Sequence, residues 1–287
     1  MQSNSISIRI KNRLLQLSSP LVMGILNVTP DSFYAESRTD TTDAIINRAQ
    51  TILEEGGTII DIGGYSTRPF AMEVCEKEEL DRLSLALAII RERFPDAIIS
   101  VDTYRANIAD YVIRNFEVDI INDVSGGTLD RHMDEVIAFH QVPYILMHMK
   151  GTPQTMQQFT NYKNLFHEVS LFFTKRIQEL SELGVNDIII DPGFGFAKTT
   201  KQNFDLLRHL SQFTLFEKPI LVGLSRKSML FKTLNTDPSH SLPATIAANT
   251  IALMSGASIL RVHDVKEAVQ TIKTYENTFA NPTITDQ

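Results

Sequence analysis

After a polar N-terminal stretch in which Ile6, Ile8 and Ile10 alternate with polar residues, the chain settles into a repeat of short apolar runs and longer amphipathic segments. The short runs are LVMGIL (21–26), TIIDI (58–62), AIISV (97–101), VDIIN (118–122), PYILM (143–147), DIII (187–190), PILVG (219–223) and SILRV (258–262). Near-continuous Ile, Val and Leu over four to six positions is the pattern of a strand covered on both faces. Between the runs, helical spacing and helix-forming residues occupy 42–56, 76–94, 105–115, 130–140, 161–183, 201–211 and 240–256, and a last such segment starts at Asp264. Strands that alternate with helices pair in parallel, and eight such units in about 250 residues predict a closed (β/α)8 TIM barrel of the α/β class. An open doubly wound sheet is the alternative, but it carries a Gly-rich phosphate loop after its first strand, and NVTPDSF (27–33) is no such loop. No Gly/Ser linker or low-complexity tract interrupts the repeat, so residues 1–287 read as a single domain. Residues 1–20 form a β extension in which SISIRIKNRLLQL (5–17) predicts a strand-turn-strand packed over the barrel floor.

Composition narrows the function. The chain is 43% apolar and 21% charged, and no apolar run approaches the roughly 20 residues of a membrane span. The N-terminus reads as a strand and not as the apolar segment of a signal peptide, which leads us to expect a cytoplasmic protein. Its one cysteine, Cys75, has no intrachain partner and no neighbouring base, and reads as an ordinary side chain. A net charge of −7 argues against nucleic acid as a partner. An anionic small substrate stays open, because the field in a cleft depends on the residues lining it.

In a barrel of this kind the chemistry sits where the strands end. The first run ends at Asn27; the second carries Asp61 and leads into GGYSTRP (63–69); the third ends at Asp102 and the fourth at Asn122. The fifth leads into LMHMKGTP with Met147, His148 and Met149, the sixth into DPGFGFAK from Asp191, the seventh into GLSRKS, and the eighth ends RVHD. Any one of these could be a helix cap or turn former. A full ring of them on one rim carries a desolvation cost unless ligands or partners satisfy it. The carboxylates of Asp102 and Asp191 with the amide of Asn122 suit the donor-rich edge of a 2-amino-4-oxo pyrimidine ring, and Lys227 can donate to a ring oxygen or nitrogen. Arg261 and His263 lie two apart on one strand, share a face, and make an anion site. His140 and His148 read as structural.

The motifs MGILNVTPDSF (23–33), GGYSTRP, SVDTYR (100–105), NDVSGG (122–127), LMHMKGTPQTMQ (146–157), DPGFGFAK (191–198), GLSRKSML (223–230) and RVHDV (261–265) together resemble those of the bacterial dihydropteroate synthases, in strand order from about residue 20 to residue 270. The resemblance implies condensation of 6-hydroxymethyl-7,8-dihydropterin pyrophosphate with p-aminobenzoate, giving 7,8-dihydropteroate and pyrophosphate, with Mg²⁺ as cofactor. It implies that Asp102, Asn122, Met147, Asp191, Phe196, Gly223 and Lys227 hold the pterin. Phe33, Thr67, Arg68, Pro69 and Ser228 would form the p-aminobenzoate side, where sulfonamides compete in the family. Asn27, Thr67, Arg261 and His263 would bind the pyrophosphate, Asn27 partly through the metal. Asp102, Asp191, Lys227, Arg261 and His263 would carry the chemistry. A neutral amide at position 27 suits Mg²⁺, a hard cation that keeps most of its waters, because a carboxylate there would repel the leaving group.

Two departures stand out. The first loop reads PDSFYAES where the family usually has PDSFSDGG, so the loop aspartate falls at Ala35 with Glu36 one residue late, and Tyr65 stands where the family commonly has Glu. Two other functions fit parts of the pattern: a pterin-binding methyltransferase barrel acting on methyltetrahydrofolate, and a catalytically silent pterin binder. STRP and SRKS oppose the first, and the full polar set opposes the second. The segment PATIAANTIALMSGA (243–257) is apolar on more than one face, as in a buried helix or a subunit interface; the family resemblance implies a homodimer.

Overall fold

The computed structural model describes residues 7–11, 13–29, 38–65 and 74–279. Strands β1 (Ser7–Ile10) and β2 (Arg13–Gln16) form an antiparallel hairpin. Eight parallel strands follow: β3 (Leu21–Asn27), β4 (Ile59–Gly63), β5 (Ile98–Asp102), β6 (Ile120–Asp123), β7 (Tyr144–Met147), β8 (Ile188–Asp191), β9 (Leu221–Val222) and β10 (Ile259–Val262). β10 pairs with β3, and a parallel bridge between Ile190 and Ile220 joins β8 to β9, so the sheet closes as the expected barrel. The enclosing helices are α1 (Arg38–Glu54), α2 (Glu76–Arg93), α3 (Ala106–Phe116), α4 (Met133–His140), α5 (Leu165–Glu182), α6 (Thr200–Arg208), α7 (Ser228–Thr233), α8 (Leu242–Met254) and α9 (Val265–Phe279).

Period-two alternation decides what each strand delivers and where. Val22, Ile60, Ile99, Ile121, Leu146, Ile190, Val222 and Leu260 point outward and share one core with the helices. Met23, Ile59, Ile120, Ile145, Ile189, Leu221 and Ile259 point inward as a floor layer, which Ile8 and Ile10 of the hairpin close from below. The hairpin therefore caps the barrel floor, and Arg9 fixes it by donating its N–H to Asp187 at 3.1 Å. The next inward positions, two residues on, are Ile25, Asp61, Asn122, Met147, Asp191, Gly223 and Arg261. Four of these seven are polar or charged, so the apolar floor gives way to a largely polar layer as the strands approach the C-terminal mouth.

The structure differs from the sequence reading at a few boundaries. Regular pairing covers only Leu221–Val222 of the seventh run, because the chain leaves the sheet at Gly223 and turns through Arg226, whose φ is +55°. The short helix α7 and a 3₁₀ turn at Pro238–His240 precede α8, which carries Pro243 in its first turn. The fifth helix begins four residues later than the spacing suggests, at a cap where the Asn164 side chain accepts from the His167 N–H. Gly24 is required by packing: a Cβ there would lie 2.6 Å from the Ile52 side chain of α1.

Candidate active site

Asp102, Asn122, Met147, Asp191, Phe196, Gly223, Lys227 and Arg261 line one cleft at the C-terminal mouth, together with Val124 and Phe194. A Cβ on Gly223 would meet nothing within 4 Å, so this wall is set back and leaves room for a flat ligand. Lys227 caps α7 and holds its Nζ 4.4 Å from the centre of the Phe196 ring. Asp191 accepts the Gly193 N–H at 2.8 Å with one oxygen. Asn27 ends β3 half-buried on the same rim. His263 follows β10, and Ser228 opens α7, where it is exposed. Phe33, Thr67, Arg68 and Pro69, with Ala35 and Glu36, lie outside the described residues.

Arg261 points into the barrel mouth rather than out toward solvent. It donates to Asp61 at 2.7 Å and to Asp102 at 2.9 Å. Asp61 also receives the Asn122 amide at 3.3 and 3.4 Å. One fully buried carboxylate below the cleft thereby orients both an arginine and an amide above it. Tyr65 donates its hydroxyl to Asp102 at 3.4 Å, a bond that an ionised glutamate at this position could not make.

The charges are tuned by burial and by each other. Burial pushes Asp102 up to about 7; Arg261 pulls it back, while Asp61, Glu79 and Asp123 add to the rise. Burial also raises Asp191, against the Gly193 N–H and the attraction of Lys227 and Arg261. Lys227 is lowered to about 8 by burial and by Arg261, with Asp191 and Asp102 opposing. Burial works against the Arg261 charge, yet Asp61 and Asp102 overcome it and raise its pKa above the ordinary arginine value. Burial, Arg261 and Arg226 bring His263 down to about 4, so its imidazole is neutral at pH 7. Ser225 Oγ accepts the His263 backbone N–H at 3.2 Å and lies 3.1 Å from Nδ1. When the serine proton is directed to Nδ1, the neutral imidazole presents its own proton on Nε2 as a donor.

A stability prediction follows for Asp102. Between its ordinary value of 3.8 and about 7 the folded state binds more protons at this carboxyl than the unfolded chain does, so its contribution to stability falls as pH rises through that window. Asp102→Asn is expected to melt no lower than the parent at pH 8, while its affinity for a pterin falls about tenfold or more. A melting temperature at pH 8 well below the parent's would contradict this.

Several groups that hold the site in place were not assigned from the sequence. Asp61 is the first. Glu79 of α2 is a second: it accepts the Thr103 hydroxyl at 2.7 Å and pairs with Arg105, which also donates to the Val74 carbonyl at 2.7 Å, so the SVDTYR motif is braced from behind. Asp123 folds the NDVSGG loop by accepting from the Ser125 and Gly127 N–H groups and the Tyr144 hydroxyl, at 2.7 to 2.8 Å. Lys198, the last residue of DPGFGFAK, is fully buried with a pKa lowered by burial to about 7. Asp61, Asp123 and Lys198 lie in quoted runs or motifs and Glu79 in the 76–94 helical segment, but each acts through a partner distant in sequence or through backbone groups.

A closed parallel barrel with a slot for a flat, hydrogen-bonding ring at its C-terminal mouth defines the class, and the sequence profile described as pterin binding enzyme matches residues 23–263. A dihydropteroate synthase of Escherichia coli is 42% identical over 271 residues, covering 93% of this chain and 94% of that protein. The Yersinia pestis dihydropteroate synthase, solved as a sulfonamide drug complex, superposes with a TM-score of 0.87 at 41% identity, covering 95% of this chain and 98% of that one. The Xanthomonas albilineans enzyme, solved with 4-aminobenzoic acid, gives a TM-score of 0.87 at 33% identity, covering 97% and 100%. The chain belongs to the pterin-binding enzymes, and within them to the dihydropteroate synthases.

Proposed function

We propose that the chain joins 6-hydroxymethyl-7,8-dihydropterin pyrophosphate to p-aminobenzoate, releasing pyrophosphate and forming 7,8-dihydropteroate. The observation that carries this reading is a single cleft with two chemically distinct sides. Asp102, Asn122, Asp191 and Lys227 surround the slot beside Gly223 and Phe196. Arg261, His263 and Asn27 stand on the rim where a diphosphate on the ring's methylene substituent would reach.

The mechanism follows from where charge moves. The methylene C–O bond breaks toward the pyrophosphate, so negative charge grows on the leaving oxygens and positive charge on the pterin. Arg261 and the Nε2–H of His263 stabilise the first. Asp102 and Asp191 stabilise the second; burial disfavours their ionised forms in the free protein, and the N–H donors of a bound pterin restore them. The free amine of p-aminobenzoate is already nucleophilic, so its lone pair forms the new C–N bond without a strong protein base.

We propose Mg²⁺ as the cofactor, and the chemistry of a neutral amide beside a diphosphate suits it. The protein's share would be the Asn27 amide oxygen on the rim, with water and diphosphate oxygens completing the shell. When bound, the ion neutralises charge on the departing diphosphate.

We further propose a homodimer, supported by Ile251 and Met254 of α8, which are 47% and 61% exposed on an otherwise apolar helix. A cytoplasmic location is supported by the lone cysteine, which is free and exposed. No helix among the described residues is long and apolar enough to cross a membrane.

Mixing the protein with pterin pyrophosphate, p-aminobenzoate and Mg²⁺ should release pyrophosphate only when both substrates are present. No release above a blank would favour a silent binder, and release without p-aminobenzoate would indicate a hydrolase. Arg68→Ala is expected to raise the KM for p-aminobenzoate while leaving pterin affinity nearly intact. Equal loss for both ligands would contradict that division of labour.

A further inference from the structure

Lys198 lies behind the cleft wall and does not line the cleft. Its Nζ is 3.0 Å from the carbonyl oxygens of Gly193 and Phe196, 3.1 Å from His148 Nδ1 and 3.5 Å from the His148 carbonyl. The loop it closes, 192–198, has left-handed backbone at Gly193 (φ +73°), Gly195 (φ +83°) and Ala197 (φ +51°). For an alanine that conformation is unfavourable and persists only where the surroundings enforce it. The resulting path turns two carbonyls inward, where they would be costly without a donor. An ammonium has three N–H donors at one point and can satisfy three acceptors there.

The fit leaves no slack. A Cβ on Gly193 would sit 2.1 Å from the His148 carbonyl oxygen and 3.4 Å from Lys198 Nζ. Asn203 holds the other side of the loop: its Oδ1 accepts the Gly195 N–H at 2.7 Å, and its Nδ2 donates to the Thr199 carbonyl at 2.8 Å. His148 is kept neutral by burial and by Lys198 and Lys150, and with its ring proton on Nε2 its Nδ1 accepts from Lys198. Lys198 therefore ties the residue after β7 to the loop after β8. The opposite face of that loop presents Phe196 to the cleft and to Lys227.

We propose that Lys198 is a positioning residue for pterin binding: its buried amino group locks the 192–198 loop against the end of β7, and so spaces Phe196 and Lys227 for a flat ring. The proposal rests on the pterin reading of the cleft. It is tested by measuring the Kd of 6-hydroxymethylpterin by calorimetry, and the KM for p-aminobenzoate at saturating pterin pyrophosphate, in the parent protein and in Lys198→Met. The expected result is a Kd weakened about tenfold or more with the p-aminobenzoate KM within about twofold of the parent's. A parent that fails to bind pterin would overturn the function instead. A parent that binds and a variant that binds equally well would overturn the positioning role, as would a parallel loss for both ligands, which signals general loosening. If Lys198→Met does not fold, His148→Leu removes one acceptor and leaves the Lys198 amino group in place. It should weaken pterin about threefold, and an unchanged Kd would overturn the proposal.

Discussion

Asp191→Asn is expected to fold normally and to bind pterin about 1 to 3 kcal/mol more weakly, roughly a 5- to 150-fold rise in Kd. Asp191 sits 6% exposed at the end of β8, and one of its oxygens is already committed to the Gly193 N–H. An asparagine can keep that bond with its own oxygen, which aims its NH₂ at the donor edge of the ring. If the amide rotates instead, its NH₂ opposes the Gly193 N–H and the loop loses a partner. Either way one donor is left facing another. Calorimetry with 6-hydroxymethylpterin, beside a thermal melt, separates the outcomes: unchanged affinity would refute the role assigned to Asp191.

The largest loss of stability is expected from Asp61→Asn. The Asp61 carboxylate is fully buried and receives both Arg261 and Asn122. Removing one partner of a buried ion pair leaves an uncompensated charge and costs about 3 to 5 kcal/mol. Asp102 still faces Arg261 in the variant, so the low end applies. A cost of about 3 kcal/mol lowers the melting temperature by roughly 5 °C for a chain of this size. The pterin Kd should rise as well, because the Asn122 amide loses the acceptor that orients it. A melting temperature within about 1 °C of the parent's would show that Asp61 is not the anchor described here. The contrast with Asp102→Asn is informative: both aspartates touch Arg261, but Asp102 opens to the ligand and is raised to about 7, whereas Asp61 serves the fold beneath it.

What was legible in the sequence is what depends on local periodicity. Eight apolar runs separated by helical segments define the barrel, and alternation at Ile6, Ile8 and Ile10 identifies the hairpin that closes the floor. The rim residues were also legible, because Asp102 and Asp191 end their strands and Asn122 lies one residue before the end of β6, facing the same mouth. Residues whose meaning lies in a distant partner were not. Asp61 falls inside an apolar run, and only the closed barrel shows that its neighbours are Arg261 and Asn122. Lys198 matters through backbone carbonyls that face it only after three residues turn left-handed. The pairing of Arg261 and His263 on one face was readable from their spacing, but not that Arg261 rests on two carboxylates while burial keeps His263 neutral. Tyr65 departs from the family pattern and yet donates to Asp102, a contact that needs the fold of the β4 end to be seen.

The polar layer above the barrel floor is expected to be one site for a pterin beside a diphosphate. A crystal structure with a non-hydrolysable pterin pyrophosphate analogue tests it most directly. The ring should lie beside Gly223 with its donor edge on Asp102, Asn122 and Asp191 and with Lys227 on its oxygen or nitrogen, and the diphosphate should meet Arg261, His263 and Asn27. An analogue bound elsewhere, or seated here with its diphosphate turned away from Arg261 and His263, would contradict the account.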